Sequence, residues 1–135
     1  MEKIKDIMTK EVISVTPQTP VKNIIEILAV KRITGLPVVD ENKKLLGIIS
    51  ELDLIGLLLE NCDIDGKTAE NFITKDVVSF SINDTIDKLC QYLLNKPFRR
   101  VPIVDNGCLV GIVSRADIIN LIWKKYNERK NSPQQ

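Results

Sequence analysis

The first third of the 135-residue chain shows a short apolar run followed by a helical period. Residues 12–15 form the apolar run, which is typical of a strand. Thr19-Pro20 then supplies an N-cap oxygen and a proline suited to the first helical position. Apolar residues at helical spacing follow at Val21, Ile24, Ile25 and Leu28. The pattern predicts a strand and then a helix with one buried face.

The next positions predict a hairpin and a second helix. Apolar runs over 36–39 and 45–49 flank a polar turn at 40–44, which is typical of two paired strands. A further helix is expected to start near Ser50 and to run through the leucines to Glu60. The order is strand, helix, strand, strand, helix.

This pattern occurs twice. Residues 7–15 return as residues 72–80, 65 positions later. The same offset relates Leu36-Pro37-Val38-Val39-Asp40 to Val101-Pro102-Ile103-Val104-Asp105. An offset of 64 relates Gly47-Ile48-Ile49-Ser50-Glu51-Leu52-Asp53 to Gly111-Ile112-Val113-Ser114-Arg115-Ala116-Asp117. A repeat of this length indicates two copies of one structural unit.

The second copy is therefore expected to repeat the element order. We predict a strand over Val77–Phe80, a helix from Asp84, strands near 101–104 and 109–113, and a last helix from Ser114. Asn106-Gly107 is a pair favoured in tight hairpin turns because both residues tolerate a positive φ.

The repeats divide the chain into segments. We predict a first repeat over 1–61, a linker over 62–70, a second repeat over 71–126, and a polar tail without a role over 127–135. A half of about 60 residues would bury only about 60% of its unfolded surface. We therefore expect the copies to pack together as one compact module of the α+β class with α/β character.

Composition and charge exclude several classes of protein. With 19 basic and 18 acidic residues, the net charge of +1 gives no overall reason to expect a nucleic-acid or membrane partner. Histidine is absent, and Cys62, Cys90 and Cys108 show no CxxC spacing, which makes a zinc site improbable. The charged N-terminus and the lack of a long apolar segment lead us to expect a cytoplasmic protein.

The sharpest local feature is the repeated Gly-x-x-Ser-x-x-Asp, at Gly47–Asp53 and at Gly111–Asp117. One interpretation is structural, because a serine that caps a helix and an acid three residues later resemble a capping box. Aspartate is shorter than the usual glutamate, so we expect it to reach the cap amide less easily. The functional interpretation is a carboxylate that accepts hydrogen bonds from vicinal sugar hydroxyls, as in dinucleotide sites.

The ordered, duplicated motifs resemble a tandem pair of CBS (cystathionine β-synthase type) domains over about residues 4–123. The residues that carry the resemblance are Met8-Thr9, Ile73-Thr74, Gly35–Asp40, Arg100–Asp105 and the two Gly-x-x-Ser-x-x-Asp segments. The resemblance implies two β-α-β-β-α repeats with pseudo-twofold symmetry, with adenosine-type ligands in clefts between them. It also implies a regulatory sensor of AMP, ADP, ATP or S-adenosylmethionine, as in energy sensing, that pairs into a disc-like dimer.

The resemblance further implies roles for individual residues. Asp53 and Asp117 match the ribose-binding acid, and Ser50 and Ser114 match its companion hydroxyl. Thr9 and Lys10 are assigned to the Asp117 site, and Thr74 and Lys75 to the Asp53 site. The remaining matches are the adenine-holding segments Leu36-Pro37 and Val101-Pro102 and the polar contacts Thr16 and Ser81. Gly35, just before the first of these segments, is also a candidate ligand-binding residue.

The copies differ where a phosphate would lie. Arg99-Arg100 in the second copy replaces Thr34-Gly35 in the first. Two loop arginines are often only a solvated surface, but a basic residue just before this strand matches a phosphate contact of AMP-binding CBS domains, and the guanidinium suits phosphate oxygens. We predict unequal sites, with a phosphate-bearing nucleotide near Arg99 and Arg100.

The sequence favours a binding module over an enzyme. A P-loop and a GxGxxG are absent, and neither serine nor cysteine has an identifiable base partner. We expect no resident cofactor, an adenine nucleotide as regulatory ligand, a homodimer, and an effector protein that receives the signal. The alternative is a structural or oligomerisation module with vestigial pockets, whose apolar helices at 54–59 and 118–123 form a dimer face.

Overall fold

The computed structural model describes residues 2–96 and 100–131 of the chain. These residues form two compact units. The first unit holds residues 13–77 together with 107–109, and the second holds the described residues of 1–12, 78–106 and 110–135. The segment that leads into each repeat therefore belongs to the unit that contains the other repeat's hairpin.

The chain mixes helices and strands, as predicted for the α+β class. In chain order the elements are α1 (Ile4–Ile7), α2 (Val21–Lys31), β1 (Gly35–Val39), β2 (Leu45–Ser50), α3 (Glu51–Leu54), a 3-10 helix (Ile55–Glu60), a second 3-10 helix (Ala69–Asn71), β3 (Phe80–Ser81), α4 (Ile86–Asn95), β4 (Arg100–Asp105), β5 (Cys108–Ser114) and α5 (Arg115–Asn131).

The first unit is organised around the antiparallel hairpin of β1 and β2. Gly35 lies opposite Ser50 in this hairpin, so the start of β1 meets the end of β2. Val15 forms a parallel bridge with Val38 on the other edge of β1. The core beneath this sheet comprises Val15, Val21, Ile24, Leu28, Leu36, Val38, Ile49, Leu54, Leu57 and Ala69.

The second unit has its own sheet in the order β3-β4-β5, with β3 parallel to β4. α1 and α5 belong to this unit. Its core comprises Ile4, Leu89, Val101, Ile103 and Val113. The apolar positions predicted from the repeat thus fill two equivalent cores.

The first strand of each repeat is much shorter than the predicted strands over Val12–Val15 and Val77–Phe80. Val15 donates to the carbonyl of Pro37 at 3.0 Å and accepts from the amide of Val39 at 2.8 Å. The next step of this parallel ladder, at Ile13, would need the amide hydrogen that Pro37 lacks. Pro102 holds the equivalent position in β4, and β3 is limited to Phe80–Ser81.

Two helix predictions also need correction. The helix expected from Ser50 to Glu60 is α-helical only to Leu54 and continues as a 3-10 helix that contains Gly56. α5 continues to Asn131, so the described part of the predicted polar tail, residues 127–131, is helical. Helix-favouring lysine, arginine and glutamate residues, which are common in this part of the chain, extend it beyond the apolar period that the sequence shows.

The helix starts and the tight turn are set by local hydrogen bonds. Thr19 does not cap α2, because the N-cap of this helix is Pro20, which was predicted at the first helical position. The Thr19 hydroxyl accepts instead from the Thr16 amide at 3.0 Å. In the second repeat Thr85 caps α4 by accepting from the Lys88 amide at 3.2 Å. The predicted turn is confirmed by positive φ angles of 51° at Asn106 and 83° at Gly107.

Candidate functional site

Asp53 lies at the start of α3, directly after the end of β2. Its Oδ2 accepts from the amide of Ser50 at 2.8 Å and from the Ser50 hydroxyl at 3.0 Å. The expectation that aspartate would reach the cap amide less easily was wrong. The half-buried carboxylate therefore has a structural function in addition to any binding function.

Thr74 approaches the same carboxylate from the segment that leads into the second repeat. Two backbone hydrogen bonds, of 2.9 and 2.8 Å, join Thr74 to Ile48 in β2. The Thr74 hydroxyl donates to Oδ1 of Asp53 at 3.2 Å. Ser50, Asp53 and Thr74 form what we call the first cluster.

The second unit contains the same arrangement. Oδ2 of Asp117 accepts from the Ser114 amide at 2.8 Å and from the Ser114 hydroxyl at 3.2 Å. Thr9 is joined to Ile112 in β5 by two backbone hydrogen bonds of 2.8 and 2.9 Å, and its hydroxyl donates to Oδ1 of Asp117 at 3.4 Å. Ser114, Asp117 and Thr9 form the second cluster. The predicted association of Thr74 with Asp53 is thus present in the first unit, and that of Thr9 with Asp117 in the second.

Each cluster leaves acceptor capacity on its carboxylate. An ionised carboxylate has about four lone-pair positions. Two donors contact Oδ2 and one contacts Oδ1 in each cluster. The open position lies on Oδ1, beside an exposed threonine. A hydroxyl donor from a ligand would complete the set.

The strand segments assigned to adenine have buried side chains. Leu36 and Val101 are each 1% exposed and pack in the two cores. Pro37 and Pro102 are also buried. Contact with a ligand from Leu36 and Val101 would therefore involve their backbone, while their side chains stabilise the sheet.

Arg100 is exposed at the first position of β4. The matching residue of the first repeat is Gly35, whose hypothetical Cβ would lie 3.6 Å from Cα and Cβ of Ser50. The repeat therefore predicts that the side chain of Arg100 starts next to Ser114. The other arginine of the prediction, Arg99, lies outside the described residues.

Thr16 and Ser81 lie at the opposite end of their own sheets from the clusters. Val15 bridges Val38, whereas the first cluster adjoins Gly35 at the other end of β1. Ser81 pairs with Val104 near the end of β4. The structure thus does not bring either residue to the cluster of its own unit. Lys10 is exposed and adjoins Thr9.

The cysteines and acids show no metal-binding arrangement in the described part of the chain. No group of three or more histidine, cysteine, aspartate or glutamate residues there could hold a metal ion. Cys62, Cys90 and Cys108 are free thiols. Burial, with a smaller contribution from the Asp87 carboxylate, raises the pKa of the Cys90 thiol. This shift disfavours the reactive thiolate.

The motif glycines Gly47 and Gly111 have a steric function that the sequence pattern does not assign. A Cβ on Gly47 would collide with the Thr74 carbonyl oxygen, and a Cβ on Gly111 would collide with Sδ of Met8. The signal available in the sequence was the recurrence of glycine at the same place in both copies.

A duplicated α+β fold with one serine–aspartate–threonine cluster in each unit defines a tandem-repeat module. The chain belongs to the CBS domain family, whose profile matches residues 4–60 and 69–124.

No helix in the described ranges has the length and apolar content needed to cross a bilayer.

Similar proteins include several CBS pairs of known structure. One is CBSX2 of Arabidopsis thaliana, whose crystal structure in complex with AMP has a TM-score of 0.83 and 30% identity, covering 93% of this chain and 99% of the other. Another is the CBS domain pair of protein MJ0100 in complex with 5′-methylthioadenosine and S-adenosyl-L-methionine, with a TM-score of 0.74 and 31% identity over 90% of this chain and 99% of that one.

Curated relatives are longer than this chain. The uncharacterised protein MJ1225 of Methanocaldococcus jannaschii is 30% identical over 121 residues, which is 90% of this chain and 43% of the relative. The chain spans between 24% and 61% of the length of this relative and of two others, a homoserine O-acetyltransferase and chloroplastic CBSX2.

Proposed function

We propose that this chain is a regulatory module that binds adenosine-containing ligands at the Asp53 and Asp117 clusters. The observation that carries the proposal is the duplicated cluster, in which a serine and a threonine fix a half-buried aspartate while one acceptor position on Oδ1 stays open. Two structural relatives, each at least 30% identical, are complexes with AMP or with S-adenosyl-L-methionine. Both ligand types contain a ribose.

The ribose is the part of the ligand that the clusters suit best. Its vicinal hydroxyls donate to a carboxylate, as in dinucleotide sites. Because Oδ2 already accepts two hydrogen bonds, the sugar hydroxyl is directed to Oδ1. The serine and threonine hydroxyls nearby also offer acceptor lone pairs for a second sugar hydroxyl.

The two clusters differ in their charge surroundings. Arg100 is a donor suited to phosphate oxygens, and Gly35 at the matching position has no side chain. We therefore assign a phosphorylated nucleotide, AMP, ADP or ATP, to the Asp117 cluster. The Asp53 cluster then accepts an adenosine ligand that needs no phosphate contact. S-adenosylmethionine is one such ligand.

A regulatory function requires that a bound ligand changes a property of the protein, such as its stability. A ligand at about 100 times its dissociation constant stabilises the folded state by about 2.7 kcal/mol. We propose that an effector protein responds to the occupied state of a cytoplasmic homodimer. The apolar residues of α5 that remain exposed, at helical spacing, support the homodimer: Ile119, Ile122, Trp123 and Tyr126.

A thermal-shift panel tests the binding function. The wild-type protein and the variants Asp53→Ala and Asp117→Ala are heated with AMP, ADP, ATP, NAD and S-adenosylmethionine. We expect a higher melting temperature with at least one adenosine ligand, and loss of that shift in one aspartate variant. No shift with any ligand in the wild type would contradict the proposal.

An oligomerisation module is the second candidate function, and exposed apolar residues favour it. Besides the residues of α5, Leu52, Leu58 and Leu59 of the first unit are 83%, 77% and 88% exposed. Sedimentation of the Ile122→Lys variant separates the candidates. A variant that becomes monomeric but still binds AMP supports a binding module. A wild-type dimer that binds no adenosine ligand supports the structural function.

A further inference from the structure

Both clusters depend on a glycine that lies opposite the threonine. Gly47 precedes Ile48, which is bonded to Thr74, and Gly111 precedes Ile112, which is bonded to Thr9. Both glycines are buried. Neither has a positive φ, whereas Gly66 and Gly107 do. The fold therefore requires these glycines for space and not for backbone conformation.

The space at each glycine is filled by the lead-in segment, which we define as Met8–Thr9 in the second unit and Ile73–Thr74 in the first. A Cβ on Gly47 would lie 2.8 Å from Cγ1 and Cδ1 of Ile73, besides its collision with the Thr74 carbonyl. A Cβ on Gly111 would lie 2.9 Å from Cγ of Met8 and 3.1 Å from the Thr9 carbonyl oxygen. A side chain at position 47 would have to displace the Thr74 backbone, whereas one at position 111 would have to move the Met8 side chain and shift the Thr9 carbonyl by a few tenths of an ångström.

Displacement of the lead-in segment would lengthen the hydrogen bond between its threonine and the carboxylate. The threonine hydroxyls are already 3.2 and 3.4 Å from Oδ1, near the limit of a hydrogen bond. A shift of a few tenths of an ångström would break these contacts. Oδ1 would lose the donor that fixes its side of the carboxylate, while the serine would still hold Oδ2.

We infer that Gly47 and Gly111 are positioning residues for sugar binding and that they act through the hydroxyls of Thr74 and Thr9. The threonine and serine hold the carboxylate from both sides, so that the open lone pair of Oδ1 has a fixed direction before the ligand arrives. Fixed geometry lowers the ordering cost of binding. The inference rests on the proposed function, because it names the residues that prepare the same sites.

The test uses the full-length chain with Asp53→Asn, which leaves one working cluster. AMP affinity at the Asp117 cluster is measured by calorimetry for this background and for added Gly111→Ala, Thr9→Val, Thr9→Ser and the double change Gly111→Ala/Thr9→Val. Gly56→Ala is the matched control, because a Cβ there would meet no atom within 4 Å.

We expect Gly111→Ala and Thr9→Val each to weaken AMP binding about tenfold, because a carboxylate without this contact must be ordered when the ligand binds. The double change should weaken binding no further, since both changes remove the same contact. Thr9→Ser keeps a hydroxyl and should retain affinity, and Gly56→Ala should bind as the background does. Additive losses, or unchanged affinity in Thr9→Val, would overturn the inference.

Amide hydrogen exchange supplies a measurement without ligand. Gly111→Ala should reduce the protection of the Thr9 and Ile112 amides but leave Thr74 and Ile48 protected. Unchanged protection of Thr9 would overturn the inference. Failure of the wild-type protein to bind any adenosine ligand would instead overturn the proposed function, so the two failures are distinguishable.

Discussion

At the scale of single residues, Asp53 and Asp117 combine helix capping with the capacity to bind a sugar. Each accepts a 2.8 Å hydrogen bond from the backbone amide of its serine, at the start of a helix. A substitution therefore changes stability and binding together, and the two effects must be separated by the choice of variant. Asparagine is suitable, since its carbonyl oxygen can still accept from the cap amide.

Asp117→Ala should lower the free energy of unfolding by about 1 kcal/mol, the typical net value of one hydrogen bond, because the Ser114 amide loses its acceptor. Asp117→Asn should cost only a fraction of that, because the cap contact survives. Urea denaturation of both variants measures the difference. Equal destabilisation by alanine and asparagine would show that the cap hydrogen bond does not account for the stability of this helix start.

Gly47→Ala should destabilise the protein more than Gly111→Ala. The methyl group at position 47 meets the backbone carbonyl of Thr74, which cannot move without the chain around it, whereas at position 111 it first meets the flexible Met8 side chain. We expect losses of about 3 and 1 kcal/mol, within the range for overpacking. Denaturation with Gly56→Ala as the control measures both, and the reverse order would contradict the contacts given.

At the scale of elements, the lead-in segments set the architecture as much as the hairpins do. Thr9 and Thr74 extend the two sheets by one bridge each, on the edges formed by β5 and β2. The repeat in the sequence correctly predicted the two hairpins and the order of the elements around them, but not where the helices after each hairpin change or end. It could not show how short the first strands are, because that depends on which amide of β1 would face them. Pro37 removes that donor.

Glu2 adds an ion pair to α5, with its carboxylate 2.8 Å from Nζ of Lys125. The hydrogen bond from Lys125 lowers the pKa of Glu2, and the same contact raises the pKa of Lys125. The stabilisation is therefore present above the unfolded pKa of the carboxyl and is lost as the pH falls through its folded pKa. At the basic end it is lost as the pH rises through the folded pKa of Lys125.

Glu2→Gln should cause a small decrease in melting temperature at neutral pH, since exposed ion pairs contribute little. The difference from the wild type should disappear in acid below the folded pKa of Glu2. Melting curves between neutral and acidic pH measure it, with Lys125→Gln as the matched partner variant. A difference that persists at low pH would show that the side chain acts through packing instead of charge.

At the scale of the whole molecule, the two units share a plan and differ in one charge at the strand start. The repeated motif identified the serine–aspartate pair, and the family resemblance implied the pairing of Thr9 with Asp117. It did not identify the glycines as spacers, because the close approach of distant segments has no local signature. It also could not tell that Leu36 and Val101 direct their side chains into the cores.

Arg100→Ala should weaken AMP binding about tenfold and leave adenosine binding nearly unchanged, because the guanidinium contacts only the phosphate in our proposal. Calorimetry with both ligands measures the two affinities. Lys96→Ala, another exposed cation of the second unit, is the control. Equal weakening of AMP and adenosine would contradict the phosphate assignment.

The central claim is that the two aspartate clusters are adenosine sites. Calorimetric titration with AMP tests it most directly. The proteins compared are the wild type, Asp53→Asn, Asp117→Asn and the double variant. We predict AMP binding by the wild type, loss of the Arg100-dependent binding in Asp117→Asn, and no measurable binding in the double variant. AMP binding by the folded double variant with wild-type affinity would contradict the claim.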